Sequence, residues 1–259
     1  MKLVVAGLAK DFGQTRVLDG IDVEMPAGEF VSIVGPSGCG KTTFLRIVGG
    51  LDRATAGEIR LDGKPITAPG PDRGFVFQTD NLLPWRNVLQ NTLLGQEISG
   101  QHNPADRTRA MDLLKLVGLE GYELHMPRQL SGGMRQRVNL ARALAVDPDI
   151  LLMDEPFSAL DAQTREIMQT ELLRIWELGR KTALFVTHQI DEAVFLSDRV
   201  LVFARNPGRI EQIVPIDLPR PRTLNIKRSA EFVNLVDKIW KLIEHDVQQT
   251  VLGKEAVLS

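Results

Sequence analysis

The 259 residues suffice for one large core or two smaller ones, and 43% hydrophobic with 25% charged residues is ordinary for a soluble globular protein. A net charge of -2 offers no global attraction for nucleic acid, so none is expected as a partner, and the lone cysteine, Cys39, excludes an internal disulfide. No apolar run is long enough to cross a bilayer, and Met1 to Lys10 is too short and too polar for a signal peptide, so any membrane is expected to be reached through another protein.

Leu3-Val4-Val5 and Val17 to Val23 read as strands, separated by a polar stretch containing Phe12 and Gly13. Glu29 to Val34 is an apolar strand running into a glycine-rich turn, and Thr42 to Val48 follows as a helix closed by Gly49-Gly50. The turn, Gly35-Pro36-Ser37-Gly38-Cys39-Gly40-Lys41-Thr42, matches the full phosphate-loop pattern. Its glycines let backbone N–H groups curl around a phosphate without a Cβ clash, and the helix offers its positive end. Lys41 suits β- and γ-phosphate oxygens, while the Thr42 hydroxyl suits Mg²⁺. Cys39 reads as a small loop residue rather than a redox sensor.

A short strand, Gly74 to Phe77, leads to Gln78, a weak signal alone but able to orient water or metal and to report nucleotide state. From about residue 82 the character changes. Met111, Leu113, Leu114 and Val117 recur at helical spacing within Arg107 to Val117, as in a helical insertion. Leu130-Ser131-Gly132-Gly133-Met134-Arg135-Gln136 then opens a helix over Arg137 to Ala145, a second anion-binding N-terminus. A monomer has little reason to own a second γ-phosphate site. Two antiparallel copies do, because each can close the other's nucleotide.

The strand Ile150 to Met153 ends in Asp154 and Glu155, which places both carboxylates at the carboxyl edge of a sheet. Asp154 suits the Mg²⁺ shell, through water, and Glu155 suits a general base for the attacking water. A helix over Thr164 to Leu178 precedes the strand Thr182 to Val186 and then His188, which can donate to a γ-phosphate or cap the next helix. With a last strand at Arg199 to Phe203, strands alternating with helices predict a mainly parallel sheet. The tail passes Pro207-Gly208 and Leu218-Pro219-Arg220-Pro221-Arg222, which resists regular structure. It ends in an amphipathic helix, Ala230 to His245, N-capped by Ser229. Phe232, Val233, Val236, Ile239, Trp240 and Ile243 form its stripe, facing its own domain or else a partner or membrane surface. No internal repeat is visible.

On these residues the chain resembles the nucleotide-binding subunit of an ATP-binding cassette transporter from residue 3 to about 205: loop 35–42, Gln78, signature 130–136, Asp154–Glu155, Ser158-Ala159-Leu160-Asp161 and His188. The resemblance implies an α/β P-loop NTPase with a mainly parallel core sheet, an N-terminal antiparallel β-subdomain and an α-helical insertion. The ATPase domain would span 1–205 with a helical subdomain at about 82–135, and 206–259 would form a short C-terminal extension. ATP would lie on Gly35, Pro36, Ser37, Gly38, Cys39, Gly40, Lys41, Thr42 and Thr43, with Phe12 stacked on adenine. Mg²⁺ would be held by Thr42, Gln78 and Asp154. Glu155, His188, Gln78 and Lys41 would be catalytic. Ser131 and Gly133 would contact the γ-phosphate of a second copy in a head-to-tail dimer, and Asp161 would link the two sites.

The resemblance also implies integral membrane permease subunits, an indirectly associated solute-binding protein, and a peripheral place on the cytoplasmic face of the membrane. Val76-Phe77-Gln78-Thr79-Asp80-Asn81-Leu82-Leu83-Pro84-Trp85-Arg86-Asn87-Val88, with Leu218 to Arg222, resembles bacterial importers of nitrate, sulfonate and taurine. Trp85 would lie on the permease-facing surface, or else pack the core of the insertion. A soluble cassette ATPase acting on nucleic acid or ribosome is disfavoured by the lack of a coiled coil or second cassette. An exporter is disfavoured by the importer-like stretches and the lack of fused membrane spans.

Overall fold

In the computed structural model, which describes residues 1–100 and 103–255, the opening strands are longer than their apolar centres. β1 (Leu3–Phe12) and β2 (Thr15–Met25) continue as an antiparallel ladder through the polar residues, as far as Phe12 opposite Thr15. Gly13, at φ 60°, supplies the left-handed conformation that the two-residue turn between them requires. β3 (Phe30–Val34), α1 (Lys41–Val48), β4 (Ala56–Leu61) and β5 (Lys64–Pro65) follow. One antiparallel sheet runs β2-β1-β4-β5, the N-terminal β-subdomain that the resemblance implied.

The chain falls into two compact units, Met1–Pro69 with the chain from Thr182 onward, and Gly70–Lys181. The second unit holds β6 (Arg73–Val76), α2 (Val88–Thr92), α3 (Leu94–Ser99), α4 (Pro104–Leu116), α5 (Gly132–Ala145), β7 (Ile150–Asp154) and α6 (Ala162–Gly179). β6 runs parallel to β7 with Val76 opposite Met153. The insertion is helical, as expected; Gln101 and His102 within it lie outside the described residues. α4 starts before the expected Arg107 because the Asn103 side chain accepts from the Ala105 and Asp106 N–H groups, an N-cap outside the apolar pattern. α5 packs against α2, α3, α4 and β6 and so organises the unit.

The first unit resumes with β8 (Thr182–Val186), α7 (Ile190–Leu196), β9 (Arg199–Ala204), β10 (Arg209–Pro215) and α8 (Ala230–Glu255). β3 lies parallel to both β8 and β9, and every residue of β3 and β8 is buried, the pattern of strands covered on both faces. β10 is a strand that the apolar pattern did not reveal; it pairs antiparallel with β9 although only Val214 is buried along it.

α8 extends beyond the expected helix, and the expected stripe divides. Phe232, Ile239 and Ile243 are buried where the helix packs on α7, β9 and β10, but Val233 and Trp240 remain 54% and 44% exposed. Positions 232–233 and 239–240 span more of the helix circumference than its neighbours cover. The helix therefore packs on its own unit, and the Ser229 hydroxyl accepts from the Phe232 N–H at 3.2 Å, the expected cap. The side chain of His245 and residues 256–259 of the extension lie outside the described residues. No helix among the described residues is long and apolar enough to cross a membrane.

Candidate functional site

In the first unit, β3 delivers its chain into the phosphate loop and α1 carries it away. Gly35 and Gly40 are there for space as well as conformation. A Cβ on Gly35 would stand 2.5 Å from the Phe203 carbonyl oxygen, and one on Gly40 would stand 2.5 Å from Leu18 Cδ2 at φ 94°. Lys41, 7% exposed, donates from Nζ to the Gly35 and Pro36 carbonyl oxygens at 2.8 and 3.1 Å, so its charge spans the loop. Ser37, Gly38 and Thr42 are exposed, and Thr43 is half-buried. Cys39 is buried and burial pushes its thiol pKa up, which suppresses the reactive thiolate. Phe12 ends β1 half exposed, with Lys10 Nζ 4.6 Å from its ring centroid.

His188 also belongs to the first unit, exposed just beyond β8. The N-cap of α7 is Gln189, whose N–H donates to the Thr187 hydroxyl at 3.0 Å; that hydroxyl also bonds the buried Glu192 carboxylate at 2.5 Å.

In the second unit, β7 ends on the buried Asp154, and Glu155 follows at φ 43°. Left-handed backbone at a non-glycine residue costs on the order of 1 kcal/mol and is held only by its surroundings. Gln78 and Glu155 are brought together, with Gln78 Nε2 donating to Glu155 Oε2 at 3.4 Å. The stretch after β6 is tied to α5 by several side chains. Asn139 Nδ2 donates to the Phe77 carbonyl at 3.2 Å, Arg135 Nε to Asp80 Oδ2 at 2.8 Å, and Arg142 to the Asp80 and Asn81 carbonyls at 2.8 and 2.9 Å. Asn139 and Arg142 were not singled out from the sequence, and Arg135 was named only as part of the signature segment. Positions 135, 139 and 142 share one face of a helix by spacing, but nothing in that spacing names residues 77–81 as their partner.

Ser131 is the N-cap of α5 and accepts from the Met134 N–H at 3.3 Å, so the signature segment opens the helix five residues before the expected Arg137. Gly133 has no room for a side chain, since a Cβ would stand 2.9 Å from Thr164 Cγ2. Asp161 caps α6, accepting from the Thr164 N–H at 3.0 Å and its hydroxyl at 2.7 Å; these bonds hold its carboxyl below the ordinary carboxylate range. The Thr42 hydroxyl and the Asp154 carboxylate are hard oxygen donors, the kind that Mg²⁺ takes one or two at a time beside substrate phosphates. Among the described residues no three His, Cys, Asp or Glu side chains gather as a metal cage.

A buried strand, a glycine loop and a buried lysine opening a helix define a P-loop nucleotide-binding protein. Residues 18–158 match the family model described as ABC transporter, and the chain belongs to that family, as its ATP-binding, ATP-hydrolysing subunit. An uncharacterized ABC transporter ATP-binding protein of Methanocaldococcus jannaschii, MJ0412, is 51% identical over 97% of this chain and 94% of its own length. The aliphatic sulfonates import ATP-binding protein SsuB of Bacillus cereus is 42% identical over 94% of this chain and 96% of its own. The ATP-binding cassette MJ0796, solved as a dimer in a post-hydrolysis state with ADP and Pi, superposes with a TM-score of 0.73 at 35% identity, covering 84% of this chain and 100% of that one.

Proposed function

We propose that this subunit powers the import of a small sulfonate-class organic anion. It would work as a head-to-tail pair of identical chains beneath membrane permease subunits, on the cytoplasmic face, with a solute-binding protein supplying the solute. The observation that carries this reading is the near full-length likeness to the Bacillus cereus sulfonate importer subunit. The dimeric state of MJ0796 supports the pairing. Trp85, 71% exposed, supports a docking role over a core role, since a core tryptophan would be covered.

Within that reading, Phe12 stacks on adenine, and residues 35–43 hold the phosphates. Lys41 neutralises β- and γ-phosphate oxygens, and His188 donates to the γ-phosphate. Thr42, Gln78 and Asp154 would hold Mg²⁺, which when bound neutralises phosphate charge. Glu155 accepts the proton of the attacking water, oriented by Gln78. Ser131 and Gly133 serve the nucleotide of the other copy, and Asp161 links the two. Residues 1–205 are the ATPase domain, with its helical subdomain at about 82–135, and 206–259 the extension.

The test is uptake by proteoliposomes containing this subunit with its cognate permease and binding protein. ATP-dependent accumulation of an alkanesulfonate such as taurine, competed weakly by nitrate, is the expected result. Accumulation of nitrate alone would move the substrate to another class. ATP-driven efflux of sulfonate would overturn the direction.

A further inference from the structure

The seven-residue helix α7 starts two residues after His188 and is too short to hold its own place. Its carboxyl end is gripped by the Leu218 to Arg222 segment. Arg222, 4% exposed, donates from Nη1 to the carbonyls of Val194, Phe195 and Ser197 at 3.1, 3.0 and 2.7 Å. Its Nη2 reaches back to the carbonyls of Ile216 and Leu218, both at 3.3 Å. Arg220 adds a bond to the Leu196 carbonyl at 2.8 Å and pairs with Asp198 Oδ1 at 2.8 Å, while Asp198 Oδ2 accepts from the Phe30 N–H at the start of β3. Farther along, Lys227 Nζ lies 3.6 Å from Asp191 in the first turn of α7 and 5.2 Å from the Phe195 ring centroid.

The C-terminal carbonyls of a helix lack intrahelical partners, and a planar guanidinium satisfies several of them at fixed angles. Burying a cation is a costly way to hold a helix that apolar packing could hold as well. What the fork adds is a defined position and rotation for α7. The other end of that helix is tied through Glu192 and Thr187 to the residue before His188.

We infer that Arg222 is a positioning residue for His188. Seated in the extension, it holds α7, and through α7 the backbone that presents the imidazole. The inference rests on the proposed contact of His188 with the γ-phosphate. It predicts that the full-length Arg222→Met chain keeps its ATP affinity, because the phosphate loop is untouched, while kcat falls.

The experiment measures kcat per ATP-binding site, so that unfolded chains do not count, in Arg222→Met, His188→Ala and the double variant. Arg222→Met should lose about tenfold in kcat with KM changed by less than about twofold, the scale of a sub-ångström misplacement of a catalytic group. The double variant should be no slower than His188→Ala, and Arg222→Lys, which keeps charge and donors but not the fork, should recover part of the rate. Normal kcat per site in Arg222→Met, or multiplying losses in the double variant, would overturn the inference while leaving the role of His188 standing. Undiminished turnover in His188→Ala would remove the reading of His188 itself. Should Arg222→Met not fold, Arg222→Lys carries the same comparison, with an intermediate kcat that His188→Ala abolishes.

Discussion

The phosphate loop of the first unit and the Gln78 stretch of the second both follow a β-strand, yet they are held in opposite ways. The phosphate loop is closed by its neighbours in sequence: Lys41 reaches Gly35 and Pro36, and the Cys39 N–H reaches the Pro36 carbonyl at 3.3 Å. The stretch 77–81 is held by Arg135, Asn139 and Arg142, between 55 and 62 residues along the chain. A locally closed loop keeps these bonds when a distant helix shifts. A loop held from a distant helix moves when that helix moves, which suits a segment proposed to carry nucleotide state to a permease.

The largest expected effect separates chemistry from binding. Glu155→Gln removes the proposed proton acceptor and leaves the phosphate loop intact, so kcat should fall by about 10²- to 10⁴-fold with ATP affinity preserved. Single-turnover hydrolysis at saturating ATP measures it, and near-normal rates would remove Glu155 as the base.

A smaller effect probes the two modes of closure directly. Arg142 is half-buried, burial lowers its guanidinium pKa, and Arg142→Met removes the donor that the Asp80 and Asn81 carbonyls share. It should cost about 0.5–1.5 kcal/mol in stability and slow turnover several-fold without weakening ATP binding. Lys41→Ala, breaking the local loop, should do the reverse and weaken ATP binding. Titration calorimetry and chemical denaturation on both variants decide the matter; equal losses of affinity would mean that the two loops do not differ in this way.

The smallest effect concerns acid. The distant ties of the second unit include Asp147, paired with Arg109 at 2.7 Å and Lys181 at 3.0 Å, and these partners hold its carboxyl at about 2 instead of the ordinary 3.8. A carboxyl depressed in the folded state contributes stability above its unfolded value, and that contribution is lost as pH falls from about 4 through about 2. The pair is more than half exposed on the Asp147 side, so the contribution should stay below about 1 kcal/mol. Asp147→Asn, which tolerates the local φ of 54°, should therefore melt slightly lower than the parent at pH 6, with the gap closing toward pH 2. A gap that widens in acid would reverse the sign.

By itself the sequence determined the features made of near neighbours. The phosphate loop, the carboxylates ending β7 and the cap Ser229 depend on backbone conformations and bonds within a few residues, so type and spacing sufficed. Tertiary structure alone decided which polar residues meet across long separations and which apolar ones stay in water. That Trp85 is exposed, that Val233 and Trp240 leave their stripe, that β10 joins the sheet, and that Arg222 holds α7 while Arg142 holds residues 80–81 were not visible in any window of the chain. The reason is physical: an arginine's reach and charge are the same wherever it stands, and its partner is chosen by which carbonyls the folded backbone leaves unpaired beside it.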